Sequence, residues 1–198
     1  MIGIPLVRAL IEQGAQVTVV SLEREDYARG LLGTTVPFYR GDLTCADACK
    51  KAIEGHECVF NLVGIKGNVG IGVKRAASYF VPMLRYQSNL LEAAFRGGVS
   101  RYLFVSSICA YPPAALHLED NVWNGLPKQN DRYAGIAKRV GEIEAETYLH
   151  EYNWEAVRIV RPSNVFGPLD DFNPTTGQVI PALIRRVLNG ERPVRIWG

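Results

Sequence analysis

The sequence predicts an α/β fold built on a doubly wound parallel sheet. Three observations predict it. Short β-branched or apolar runs alternate with helical runs along almost the whole chain. Such alternation implies parallel strands joined by right-handed crossovers. The run Arg101 to Ser106 has almost no polar interruption, as a strand covered on both faces requires.

The elements follow in order. Ile2 to Gln13 reads as a helix with Ile4, Leu6, Val7, Leu10 and Ile11 on one face, and it stops at Gly14. Gln16 to Ser21 reads as a short β-branched strand, and Val36 to Arg40 as a second that ends at Gly41-Asp42-Leu43. A helix from about Cys45 to Glu54 leads to the strand Glu57 to Val63, and a glycine-rich loop spans Gly64 to Gly72. Ser78 to Arg96 is a long helix in which Pro82 suits a first turn or a kink. After Arg101 to Ser106, a polar loop with several prolines reaches Asn130, and a helix runs from Asp131 to Tyr152. Glu155 to Val160 is a strand, Thr175 to Asn189 contains a helix, and Val194 to Trp197 begins one more strand. The chain opens on a helix with no strand before it and closes in mid-strand. The expected sheet therefore lacks its first strand, and most of the region after its last strand is missing.

Composition narrows the function. A length of 198 residues allows one domain with a sizeable core. The formal net charge is +2 and the basic residues are scattered, with only short pairs such as Arg185-Arg186. That argues against a dedicated binder of nucleic acid or of membrane surfaces. No leader pattern and no membrane-spanning apolar run is present, so a soluble, cytoplasmic protein is expected. Cys45, Cys49, Cys58 and Cys109 match no zinc spacing, and His56, His117 and His150 are dispersed. No metal is expected, and the first three cysteines read as small buried thiols.

Several segments carry a resemblance. Met1-Ile2-Gly3 before the first helix is similar to the tail of a G-x-x-G-x-x-G dinucleotide fingerprint, with Gly3 as its last glycine. Gly41-Asp42-Leu43, Asn61-Leu62-Val63-Gly64, Phe104-Val105-Ser106-Ser107-Ile108-Cys109-Ala110-Tyr111-Pro112 and Arg161-Pro162-Ser163-Asn164-Val165-Phe166-Gly167-Pro168 come after it in sequence. Each lies at the C-terminal end of a predicted strand, where such sheets bind ligands. In this order they resemble the extended short-chain dehydrogenase/reductase family, the NAD-dependent epimerases and dehydratases. Cys109 near Tyr111-Pro112, Ile65-Lys66-Gly67, and the stretch from Gly167 to Leu183 resemble its GDP-L-fucose synthase branch.

The resemblance implies a Rossmann-type domain over 1–161 and the start of a substrate-binding region over 162–198. It implies hydride transfer between NAD(P) and a sugar carbon of a nucleotide-activated hexose, in an enzyme that is an epimerase, reductase or dehydratase. It also implies a homodimer in the complete protein, formed through the helices near 78–96 and 131–152. Ser107, with Ser106 as the fallback, would hydrogen-bond the sugar oxygen. Lys138 would lower the pKa of a proton-transferring tyrosine. Gly3, Ser21, Arg24, Asp42, Leu43, Leu62, Val63, Gly64, Lys138 and Asn164 would line the cofactor. Lys66, Asn164 and Gln178 would face the sugar. Cys109 would be the base beside the sugar ketone or a buried thiol, and its expected histidine partner is replaced by Gln178.

The tyrosine departs from the family spacing of Y-x-x-x-K. Tyr133 stands five residues before Lys138, and Ala134 fills the expected slot. Five steps place the two about 140° apart around a helix, against about 40° for four. A bulge at the helix start would rescue Tyr133. Without one, the usual acid/base is missing, and the alternative is a non-catalytic family member that binds a dinucleotide or a partner protein. Ser21 stands where NAD-preferring relatives carry a carboxylate, and Arg24 is close behind it. NADP is therefore favoured over NAD, unless Arg24 is only a solvated neighbour of Glu23 and Glu25.

Overall fold

The computed structural model describes residues 1–65, 74–173 and 176–196. The elements run α1 (Gly3–Glu12), β1 (Val19–Ser21), α2 (Glu25–Leu32), β2 (Phe38–Arg40), α3 (Ala46–Ile53), β3 (Cys58–Asn61), α4 (Ala76–Arg96), β4 (Arg101–Val105), α5 (Arg132–Tyr152), β5 (Val157–Val160) and α6 (Val179–Leu188). Short 3-10 turns at Ile108–Ala110, Glu119–Trp123 and Gln129–Asp131 punctuate the loop between β4 and α5.

All pairing is parallel. β1 pairs with β2, and β4 pairs with β3 on one side and β5 on the other. The sheet is therefore divided into parts of two and three strands, and no described strand joins β1 to β3. Both parts share one core, because Val20 of β1 and Val59 of β3 pack against the same buried cluster.

Helices α4 and α5 cover the larger part. The buried residues Met83, Tyr86, Gln87, Leu90, Leu91 and Ala94 recur along α4 at spacings of three and four, which is the stripe a helix presents to a core. Buried Gln87 donates through Nε2 to the Ala137 carbonyl of α5 at 2.9 Å, joining the two helices where each lies against the sheet. On α5, Gly141 admits β4 closely: a Cβ there would lie 2.6 Å from Cζ of Phe104. Asn153, with φ at 52°, ends α5 in the left-handed conformation.

Two expectations need correction, a third is narrowed, and one helix was not foreseen. α2 was not foreseen, since Glu25–Leu32 is short and places only Ala28 in a buried position. It forms with Glu25 and Asp26 in its first turn, where carboxylates suit the helix dipole. The strand expected at 194–197 is absent over 194–196, which are irregular, and Trp197 lies outside the described residues. Pro82 sits inside α4, past its first turn, which removes the first of its two expected placements. Of the three cysteines expected to be buried only Cys49 is, while Cys45 and Cys58 are exposed. Cys45 precedes α3 and Cys58 lies on β3 with its side chain outward.

Candidate functional site

The ends of the parallel strands set the site. At the end of β3, buried Asn61 donates through Nδ2 to the Tyr102 hydroxyl at 2.9 Å and accepts the Val63 amide at 3.1 Å. This fixes the path of Leu62, Val63 and Gly64 as they leave the sheet. The Tyr86 hydroxyl donates to the Val63 carbonyl at 3.1 Å. Burial holds that phenol well above its usual range, so it is a protonated strut.

Lys138 reaches the same place from α5. Its Nζ donates to the Val105 carbonyl at 2.8 Å and approaches the Val63 carbonyl at 3.5 Å. It stands 5.2 Å from the centre of the Phe104 ring. One ammonium thus spans the ends of β3 and β4. Burial pushes its pKa down to about 8, with the Cys109 and Glu142 charges acting the other way.

Ser107 and Cys109 lie on the turn after β4. Ser107 Oγ accepts the Cys109 amide at 3.2 Å and so caps the 3-10 turn. The Ile108 amide donates to the Pro162 carbonyl at 3.0 Å, which ties this turn to the chain leaving β5. Burial raises the pKa of the half-buried Cys109 thiol, opposed by its contact with Ser107. The thiol is therefore protonated at neutral pH.

A buried polar cluster holds that turn in place. Ser106 donates to Glu142 Oε1. Arg161 grips the buried Glu142 carboxylate through Nε at 3.0 Å and Nη2 at 2.8 Å, and reaches the Tyr111 hydroxyl at 3.3 Å. Arg139 donates to the carbonyls of Ala110 and Gly125, each at 2.7 Å. Sequence reasoning missed Glu142 and Arg139. A carboxylate and an arginine three residues apart on a helix read as a solvated pair, and only the fold shows both facing inward. Gly135 was also missed. A Cβ there would lie 2.2 Å from the Cys109 carbonyl oxygen and 2.9 Å from Cβ of Pro127, so the turn rests directly on the backbone of α5.

Tyr133 is not brought to Lys138. α5 is regular from Arg132 onward, and the bulge that would rescue the spacing is absent. The Tyr133 side chain is half exposed, and its ring meets the edge of Phe80 with centroids 6.4 Å apart. Ala134 occupies the position one turn before Lys138 and packs against the core.

The remaining residues expected at a cofactor lie along the other strand ends and loops. Gly3 opens α1, whose N-terminus no side chain caps. A Cβ on Gly3 would stand 3.7 Å from Leu62 Cδ1, so these free amides lie beside the end of β3. Uncapped amides at a helix start suit a phosphate, and the donor set fits a dinucleotide at the strand ends. Asp42 is exposed, with Oδ1 accepting the Thr44 amide at 2.9 Å and hydroxyl at 2.8 Å. Leu43 is buried in the core below it. Ser21 Oγ accepts the Glu23 amide at 3.2 Å. Arg24 is exposed, and Asp26 holds its guanidinium at both Nε and Nη2. Asn164 is exposed beyond β5, and Gln178 is the exposed residue before α6. Lys66 lies outside the described residues. A cleft of about 420 Å³ beside β5 is lined by Trp123, Glu142, Trp154 and Arg161 among others and includes none of the catalytic or cofactor residues expected from sequence.

The model of the NAD dependent epimerase/dehydratase family matches residues 1–198. The chain belongs to that family. Among its curated relatives is the GDP-L-fucose synthase of Escherichia coli K12, 35% identical over 62% of this chain and 40% of the relative. Another is the dTDP-4-dehydro-6-deoxy-D-allose reductase of Streptomyces bikiniensis, 29% identical over the whole chain and 62% of the relative. Among solved structures, the UDP-N-acetylglucosamine 4-epimerase of Methanobrevibacter ruminantium M1 superposes with a TM-score of 0.84 at 28% identity, covering 100% of this chain and 62% of that one. The chain spans less than two thirds of the length of these family members. Among the described residues no helix is long and apolar enough to cross a membrane.

Proposed function

We propose that the protein is an NADP-dependent enzyme that modifies a nucleotide-activated hexose, as an epimerase, reductase or dehydratase. The observation that carries the reading is Lys138, a buried cation spanning the ends of β3 and β4 beside the Ser107 turn. A bound nicotinamide would supply or accept the hydride at the sugar carbon. In this reading α1 binds the pyrophosphate at Gly3, Ser21 and Asp42 face the adenosine, and Leu62, Val63, Gly64 and Asn164 line the nicotinamide side. Ser107 orients the sugar oxygen through its hydroxyl, whose lone pair is already turned to the Cys109 amide. Tyr133 moves the proton at that oxygen, which requires it to leave Phe80 and turn inward from the first turn of α5. Gln178 contacts the sugar but transfers no proton at neutral pH. In this reading residues 1–161 form the cofactor domain and 162–198 begin the sugar-binding region.

A second reading rests on one observation. Tyr133 is outward and Ala134 fills its slot on a regular helix, which favours a family member that binds dinucleotide without turnover. Incubation of the full-length protein with reduced or oxidised cofactor and a panel of GDP-, dTDP- and UDP-hexoses, including 4-keto sugars, separates the two. Altered sugar stereochemistry or oxidation state by NMR supports the enzyme. Cofactor binding with every sugar unchanged supports the second reading.

A further inference from the structure

We infer that Arg40, rather than Arg24, is the residue that selects a 2′-phosphorylated dinucleotide. The inference rests on the dinucleotide reading above and assigns a specificity determinant within it.

Arg40 is the last residue of β2, and the strand register places it beside Ser21, the last residue of β1. The Gly41 amide donates to the Ser21 carbonyl at 3.1 Å, so the strands stay together to their ends. From there Arg40 sends its side chain across to the loop after β1, where Nε donates to the Leu22 carbonyl at 3.3 Å. That bond anchors the guanidinium over the residue next after Ser21. Among the described residues neither Nη of Arg40 makes a hydrogen bond or ion pair. The anchored group presents two unused donors, the pattern that grips a phosphate in bidentate fashion.

Arg24 offers the opposite. Asp26 occupies its fork, and Arg24 in turn holds the Asp26 carboxyl below its usual pKa. Asp26 therefore stays ionised, and a phosphate approaching Arg24 would have to displace it. Glu25 stands alongside, bonded to Arg29 at 2.8 Å. The loop thus places carboxylates around Arg24, while Arg40 enters from the neighbouring strand.

The test is calorimetric titration of NADP, NAD and 2′,5′-ADP into the full-length protein and its Arg40→Gln and Arg24→Gln variants. Loss of a charge-assisted pair to phosphate is expected to weaken NADP and 2′,5′-ADP by about tenfold to a hundredfold in Arg40→Gln. NAD affinity is expected to hold within about twofold, and Arg24→Gln to change NADP by less than about threefold. A larger loss in Arg24→Gln than in Arg40→Gln overturns the assignment. So does an equal loss of NAD and NADP in Arg40→Gln, which marks a structural role. Wild-type binding of NAD without NADP also overturns it while leaving the dinucleotide reading intact. Absence of all binding to the wild type overturns both.

Discussion

Lys138 of α5 donates to the Val105 carbonyl at 2.8 Å, so a single buried ammonium fastens the second large helix to the end of β4. Its pKa is pushed from 10.5 down to about 8 by burial. The unfolded chain therefore binds more protons than the folded one between about pH 8 and 10.5, and stability rises with pH across that window. Below about pH 8 the cost is present in full, on the order of 3 kcal/mol. Urea unfolding of wild type and Lys138→Met across this range should show the wild type gaining on the variant as pH rises. A constant difference would contradict the buried ammonium.

Gly135 lets the Ser107–Tyr111 turn rest on α5. Gly135→Ala places a Cβ within 2.2 Å of a backbone oxygen, so the turn or the helix must move. Overpacking of this kind costs about 1–3 kcal/mol. The variant should also expose the Cys109 thiol, and faster alkylation of Cys109 would report it. Unchanged stability and unchanged labelling would show that the turn is loose.

The Glu142–Arg161 pair should behave as a unit. Removing one partner leaves a buried charge, and Glu142→Ala should cost about 3–5 kcal/mol. The double variant Glu142→Met/Arg161→Met should recover most of that loss, since an apolar pair replaces the ionic one. A double variant as unstable as the two single changes added together would contradict this coupling.

Tyr133 provides the sharpest test of catalysis. If it turns inward, Tyr133→Phe should lower kcat by about a hundredfold or more, in line with losing a general acid, with cofactor affinity unchanged. If turnover persists in Tyr133→Phe, another group moves the proton.

The order of elements was legible because periodicity reports burial directly. The stripe on α4 and the apolar run of β4 needed no tertiary knowledge. α2 was not legible, because an eight-residue helix with a polar face shows too little periodicity. The strand ends themselves were legible, since Asp42, Val63 and Ser107 each stand at or just past the end of a recognisable strand. The buried role of Glu142 was not, since sequence cannot say which carboxylate faces inward. The adjacency of Arg24 to Ser21 and to Asp26 is visible in sequence, but the reach of Arg40 across strands to Leu22 is a tertiary fact. The five-residue spacing of Tyr133 and Lys138 left a bulge and a regular helix both open, and the helix is regular.

The most direct test of the central claim is hydrogen–deuterium exchange of the full-length protein with and without NADPH. The account expects protection at the start of α1, at Asp42-Leu43, at Leu62 to Gly64, and from Val105 to Cys109. Protection confined to the cleft beside β5, or none at saturating cofactor, would contradict it.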